Sequence, residues 1–151
     1  MPSLLLDRSF AETDTVLSHL IPVRILINSK PLPQRFKVQW TPTLVLLDQE
    51  GEEHHRTVGF LAPEELLPSL MLGIGKSCFD RESFTESEQI LEQLLKEYPK
   101  SDAAPEAAYY LGVGRYKNTH NAEELKKTIQ SLQKNYPGSE WTKRASVYQL
   151  L

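Results

Sequence analysis

Two kinds of hydrophobic pattern divide the chain. Up to about residue 72 the apolar residues come in short, nearly unbroken runs, Val23-Arg24-Ile25-Leu26-Ile27 and Leu44-Val45-Leu46-Leu47. Such runs are expected of strands covered on both faces by helices, as in parallel sheets. His54-His55-Arg56-Thr57-Val58 is more polar and reads as an edge strand. Between the last two runs, Asp48-Gln49-Glu50-Gly51 supplies a glycine free to take positive φ in a short hairpin loop. Ser9-Phe10-Ala11-Glu12 fits a capping box, in which the serine oxygen and the glutamate each satisfy an orphan amide, and predicts a helix to about Leu20. Ala62-Pro63-Glu64-Glu65 opens another helix, since proline suits the first turn and acidic residues favour its positive end. The predicted order is helix, strand, short helix or loop, strand, strand, helix.

Beyond that point the pattern changes to helical spacing and repeats itself. Tyr98-Pro99-Lys100-Ser101 recurs as Tyr136-Pro137-Gly138-Ser139, and the same 38-residue shift from Pro99 to Pro137 carries Leu91 to Ile129, Leu94 to Leu132, Ala107 to Ala145 and Tyr110 to Tyr148. Leu72-Gly73-Ile74-Gly75-Lys76 is echoed by Leu111-Gly112-Val113-Gly114-Arg115. Leu91, Leu94, Leu95 and Tyr98, then Leu125, Ile129, Leu132 and Tyr136, give each helix one apolar face. Each unit is predicted to be a helix pair that buries its face by stacking on a neighbour. Ser139–Leu151 is expected as a final capping helix. Seven of the ten prolines precede Gly73, and a boundary near Leu72 separates segment 1–72 from segment 73–151.

Composition narrows the function classes. With 40% apolar and 25% charged residues, the 151-residue chain has the make-up of a soluble globular protein. Residues 1–72 hold six Lys and Arg against nine Asp and Glu, and residues 73–151 hold eleven of each. No like-charged block offers a footprint for nucleic acid or an anionic membrane, and neither is expected as a partner. The apolar runs are far shorter than the roughly 20 residues of a membrane span, and the start lacks a signal-peptide pattern. The chain therefore reads as cytoplasmic.

Candidate chemistry is sparse. The single cysteine, Cys78, excludes an intrachain disulfide, a CxxC pair and a thiolate cage. It falls on an apolar helix face, where a free cysteine acts as a small hydrophobe. His54 and His55 are adjacent, so on a strand they diverge and cannot chelate one ion; with His19 and His120 they read as surface histidines, and no metal is expected. Glu64-Glu65 and Glu123-Glu124 diverge by about 100° on a helix and suit solvated first turns. No Ser-His-Asp spacing, phosphate loop or nucleotide fingerprint is present, so no catalytic residue and no cofactor are assigned. Trp40 beside Thr41-Pro42 is either a docking surface or a large side chain filling a gap in the sheet. Tyr109, Tyr110, Tyr116 and Tyr148 either line a groove or pack between helices.

Phe36-Lys37-Val38-Gln39-Trp40-Thr41-Pro42-Thr43, the strand that follows, the acidic-Gly turn, Val58-Gly59-Phe60-Leu61 and the Pro-Glu-Glu helix together resemble the second half of a thioredoxin domain, over about residues 7–72. The resemblance implies that Pro42 matches the family's cis-proline and that its loop grips extended peptides through the backbone of Thr41. The family's first strand and CxxC would lie before Met1. In that arrangement Val23–Ile27 and Thr43–Leu47 lose the strand between them, and the gap is filled by direct pairing, by Ser3–Leu6, by another copy of the chain, or by a longer parent protein. Residues 73–151 resemble tetratricopeptide (TPR) repeats, especially those of bacterial envelope and assembly proteins. That resemblance puts Gly75 at the small helix-crossing position, Ser87 and Leu94 at packing positions and Leu91 at the large apolar one. In the second unit Gly114 is one residue out of register and Leu125 replaces a small residue.

The fold class expected is thus α/β plus all-α: a truncated thioredoxin-like α/β/α domain followed by TPR-like antiparallel helix pairs. The function expected is a non-catalytic, redox-inactive interaction module for a polypeptide partner, with Trp40, Thr41, Pro42, Tyr109, Tyr110 and Tyr116 as candidate binding residues and homo-oligomerisation possible through an open sheet edge. The alternative is the C-terminal portion of a thiol-disulfide oxidoreductase whose CxxC lies upstream of Met1.

Overall fold

In the computed structural model, which describes residues 18–151, the polar interruption after Leu47 closes a hairpin. Strand β1 (Thr43–Leu47) and strand β2 (Glu53–Val58) form a two-stranded antiparallel sheet. Asp48 fastens the loop between them. Its N–H donates to the Glu52 carbonyl at 3.0 Å, and its carboxylate accepts from the N–H groups of Glu50 at 3.0 Å and Glu52 at 2.8 Å. Gly51 takes φ 84°, where a β carbon would be strained. The Ser9–Glu12 capping box and Ser3–Leu6 lie outside the described residues.

Val23–Ile27, expected as a strand, is not one. It joins no ladder among the described residues, and Val23, Ile25, Leu26 and Ile27 are 74%, 42%, 64% and 52% exposed. An apolar run becomes a strand only when neighbours satisfy its backbone and cover its side chains, and the described residues supply neither. Nor is β1 covered on both faces as a parallel strand would be: Leu46 is its one buried residue. Ahead of β1 the chain makes a single helical turn, α1 (Leu32–Arg35).

Contacts group the residues up to Leu44 with Val58–Phe60, and Val45–Thr57 with Leu61–Leu151. The second group carries the helices α2 (Pro63–Asp80), α3 (Phe84–Glu97), α4 (Ala104–Thr119), α5 (Glu123–Asn135) and α6 (Glu140–Ala145), ending in a 3-10 helix, Ser146–Leu150. Pro63 occupies the first turn of α2 with Glu64 and Glu65, and the helix runs unbroken through Leu72 and Gly73. The helices pack as antiparallel pairs, α2 on α3 and α4 on α5, with α4 also against α3. The expected capping helix is divided: Ser139 caps α6 by accepting from the Thr142 N–H at 3.1 Å, and after Ala145 the coil tightens.

The repeat positions form the core. Leu91, Leu94 and Leu132 are fully buried, and Ile129 nearly so. At the first crossing, Gly75 lets α2 approach Leu91 of α3, and the buried Ser87 hydroxyl donates to the Gly75 carbonyl at 2.8 Å. The second crossing is made by Gly112 rather than Gly114. A β carbon at Gly112 would lie 1.7 Å from Thr128 Oγ1, whereas at Gly114 the nearest atom is 3.6 Å away on Phe79. The Tyr-Pro boundaries are tied together as well, since the Tyr136 hydroxyl donates to the Pro99 carbonyl at 3.0 Å.

Candidate functional site

Helical spacing puts aromatic residues on facing sides of α2, α4 and α6, and stacking of the helices joins them into one run. Phe79 near the end of α2 meets Phe84 at the start of α3 edge-on at 5.5 Å and Tyr110 of α4 at 5.1 Å. Tyr110 continues to Tyr109 at 6.0 Å and to Trp141 of α6 at 5.9 Å; Tyr109 meets Trp141 at 5.1 Å and stacks on Tyr148 at 6.1 Å. The Tyr109 and Tyr148 hydroxyls share a hydrogen bond of 3.0 Å. All six rings are half-buried. Tyr109, Trp141 and Tyr148 rest on the Ile129, Leu132 and Ala145 core.

Cations border the run. Lys76 pairs with Glu106 at 2.7 Å and lies 5.4 Å from the centre of the Tyr110 ring. Lys117 stands 5.9 Å from the Phe79 centroid and 6.0 Å from that of Phe84, and Arg144 covers Trp141 at 4.7 Å. Each is within range of cation–π attraction. Burial raises the Tyr110 phenol above its ordinary pKa, against the pull of Lys76. Burial also raises Tyr148, helped by its bond to Tyr109. These phenols stay protonated at neutral pH and offer ring faces together with hydroxyl donors. Such surfaces suit stacking with prolyl and aliphatic side chains and hydrogen bonding to peptide carbonyls.

The Trp40–Thr41–Pro42 loop stands on its own local bonds. The Thr43 hydroxyl donates to the Trp40 carbonyl at 2.6 Å, and the Gly59 N–H donates to the Pro42 carbonyl at 2.8 Å. The Thr41–Pro42 bond is cis, as is Lys30–Pro31. Trp40 is 68% exposed, so it offers its indole to solvent rather than filling a gap.

Residues 9–72 match the thioredoxin-like domain family model. No curated protein and no solved structure gives a significant match to the chain. The thioredoxin-like segment therefore contains the Thr41–Pro42 loop, the hairpin and the first half of α2, while the aromatic run lies wholly beyond it. No helix among the described residues is long and apolar enough to cross a membrane.

Of the residues singled out by sequence, Tyr109 and Tyr110 stand at the middle of the run. Tyr116, two turns further along α4, is half-buried and no ring contact joins it to the others among the described residues. Phe79 and Phe84, and on α6 Trp141, were not anticipated. A signal for the last is present in the i, i+4, i+7 spacing of Trp141, Ala145 and Tyr148, which sets both aromatics and the buried alanine on one face.

Within the thioredoxin-like segment the two strand histidines are not surface residues. The His54 side chain is 8% exposed and reaches Asp48 and Asp80, and His55 bonds the Ser69 hydroxyl at 3.0 Å. Burial, reinforced by Lys76, holds His55 below its ordinary pKa. The surface expectation failed because α2 folds back over β2, with Gly73 directly above the His55 β carbon. Cys78 is buried, and burial pushes its thiol up, away from the thiolate that nucleophilic chemistry needs. No cluster of His, Cys, Asp or Glu among the described residues is arranged to hold a metal ion.

Proposed function

We propose that this protein is a non-catalytic polypeptide-binding module in which the helix pairs of residues 73–151, read as TPR-like repeats, dock an extended partner segment along the aromatic run. The thioredoxin-like segment of residues 1–72 contributes Trp40, Thr41 and Pro42 as a second docking surface. The observation that carries the reading is the run itself. Phe79, Phe84, Tyr109, Tyr110, Trp141 and Tyr148 come from five separate elements, and none of the six residues is fully buried. Aromatic side chains supply much contact area for little loss of rotamer freedom, which is why they dominate binding hot spots.

The test is selection of a displayed peptide library on the immobilised chain, followed by affinity measurement on folded variants. Tyr109→Ala and Tyr110→Ala are expected to weaken the selected peptides by about 10- to 30-fold, the scale of a hot-spot ring. Tyr116→Ala, off the run on the same helix, serves as the control. Equal affinity for all three variants and the parent would refute docking on the run.

The match of residues 9–72 to the thioredoxin-like family favours a second reading, in which the chain is the C-terminal portion of a thiol-disulfide oxidoreductase. That reading requires a CxxC encoded in frame upstream of Met1. An in-frame stop codon immediately upstream would eliminate it.

A further inference from the structure

Outside the aromatic run, one polar cluster makes more contacts than a neutral histidine can. His54 on β2 sets Nδ1 2.6 Å from Asp80 Oδ2, at the last residue of α2, and Nε2 2.9 Å from Asp48 Oδ2, in the hairpin loop. A neutral imidazole has a single N–H; its other nitrogen is a lone pair. Between two carboxylates, the neutral ring would press that lone pair against one carboxylate oxygen, whereas the imidazolium donates to both. We propose that Asp48, His54 and Asp80 form a proton-operated clip, in which the imidazolium fastens the β1–β2 hairpin to the C-terminal end of α2 and loss of the proton frees one of the two fastenings.

The surroundings leave the clip to these three groups. On β2, Glu53 pairs with Arg56 at 2.5 Å, and His55 turns to Ser69. On α2, Lys76 is held by Glu106, and the Arg81 side chain just after the helix donates back to the Ser77 carbonyl at 3.2 Å. Glu50 and Glu52 in the loop contribute backbone N–H groups to Asp48. Burial alone would push His54 toward neutrality, but its hydrogen bonds to the two carboxylates more than offset that and raise the imidazole above its ordinary pKa. Asp48 is lowered in turn, first by His54 and then by the Glu52 N–H. A raised histidine stabilises most below its ordinary value of about 6.5, and that stabilisation is lost as pH climbs through the folded-state value. The arm that lets go is Asp80. Its side chain is 48% exposed against 12% for Asp48, which the two loop amides hold in place. Asp80 adjoins Phe79, so release also leaves an uncompensated carboxylate at the edge of the aromatic run; only this last consequence rests on the docking reading.

Long-range nitrogen–proton NMR of His54 across a pH series tests the clip in the intact chain. Both ring nitrogens are expected to remain protonated above pH 6.5, and Asp80→Asn is expected to lower the midpoint. Amide exchange of the hairpin, corrected for its intrinsic pH dependence, should quicken about tenfold as pH passes the His54 midpoint, the scale of one charge-assisted hydrogen bond. In Asp80→Asn that step should vanish. A His54 midpoint at or below about 6.5, or hairpin exchange with no step at the midpoint in the parent chain, would overturn the proposal.

Discussion

Alanine at Gly112 and at Gly114, two residues apart on α4, should have opposite effects on stability. A β carbon at Gly112 would stand 1.7 Å from Thr128 Oγ1 and 2.6 Å from both Thr128 Cβ and Cγ2. Carbon atoms in contact prefer about 3.5–4.0 Å, so Thr128 must retreat by about 1 Å. Rotation about χ1 moves the hydroxyl and methyl but not Cβ, which travels only with the α5 backbone. The hydroxyl is also engaged, donating to the Glu124 carbonyl at 2.6 Å. Overpacking of this kind costs about 1–3 kcal/mol and occasionally more, while replacing a mid-helix glycine returns up to about 1 kcal/mol. Because Cβ is fixed, Gly112→Ala belongs at the upper end, with a net loss of about 2 kcal/mol. At Gly114 the new methyl would meet only Phe79 ring atoms, at 3.6 and 3.8 Å, an ordinary contact. The propensity gain of about 0.5–1 kcal/mol should therefore survive there. Urea unfolding followed by circular dichroism separates the outcomes: at a slope of about 1–3 kcal/mol per molar urea, a gap of about 3 kcal/mol spreads the two midpoints by about 1 M or more. Gly112→Ala at or above the parent midpoint, or Gly114→Ala falling alongside it, would refute the crossing geometry.

Cys78 should react with a thiol reagent slowly in the native chain and quickly in denaturant, because burial both shields the sulfur and raises its pKa; fast native labelling would contradict its place in the core. His55 should act on stability with the opposite sign to His54. Its pKa is depressed, so its contribution is complete above about pH 6.5 and is lost as pH falls through the lowered folded-state value. The stability difference between parent and His55→Gln, taken from urea midpoints at pH 7.5 and pH 5, should accordingly shrink at the lower pH, and a difference that grows there would be inconsistent with a buried neutral ring.

The legibility of the fold in the sequence followed how local each signal was. The hairpin was readable because a glycine at positive φ and an Asx-type aspartate sit within five residues of one another. The start of α2 was readable from Ala62-Pro63-Glu64-Glu65, and the helix pairs from a repeat that places Leu91, Leu94, Ile129 and Leu132 on matching faces. Val23–Ile27 misled because β propensity is expressed only when a neighbouring strand is present, and a run of five residues carries no information about that neighbour. Gly114 reads as one residue out of register in the sequence, and the structure agrees, placing Gly112 at the crossing instead. Register read from a family pattern cannot say which of two nearby glycines faces the next helix, and the depth of Thr128 decides it. The buried histidines depended on where α2 lands relative to β2, a tertiary fact with no local mark. In the candidate site, Tyr109 and Tyr110 stood out by type and repeat position, but joining them to Phe79 and Trp141 required the stacking of three helices.

The chain's two tryptophans fall one in each proposed docking surface, Trp141 in the aromatic run and Trp40 on the Thr41–Pro42 loop. Titration of a selected peptide into Trp40→Phe, in which Trp141 is the sole remaining indole, therefore tests the central claim most directly. The account predicts a saturable change in Trp141 emission, with a midpoint about 10- to 30-fold weaker when Tyr110→Ala is added. A peptide that binds the Trp40→Phe chain with parental affinity yet leaves Trp141 emission unchanged, with no penalty from Tyr110→Ala, would place binding elsewhere and contradict the account.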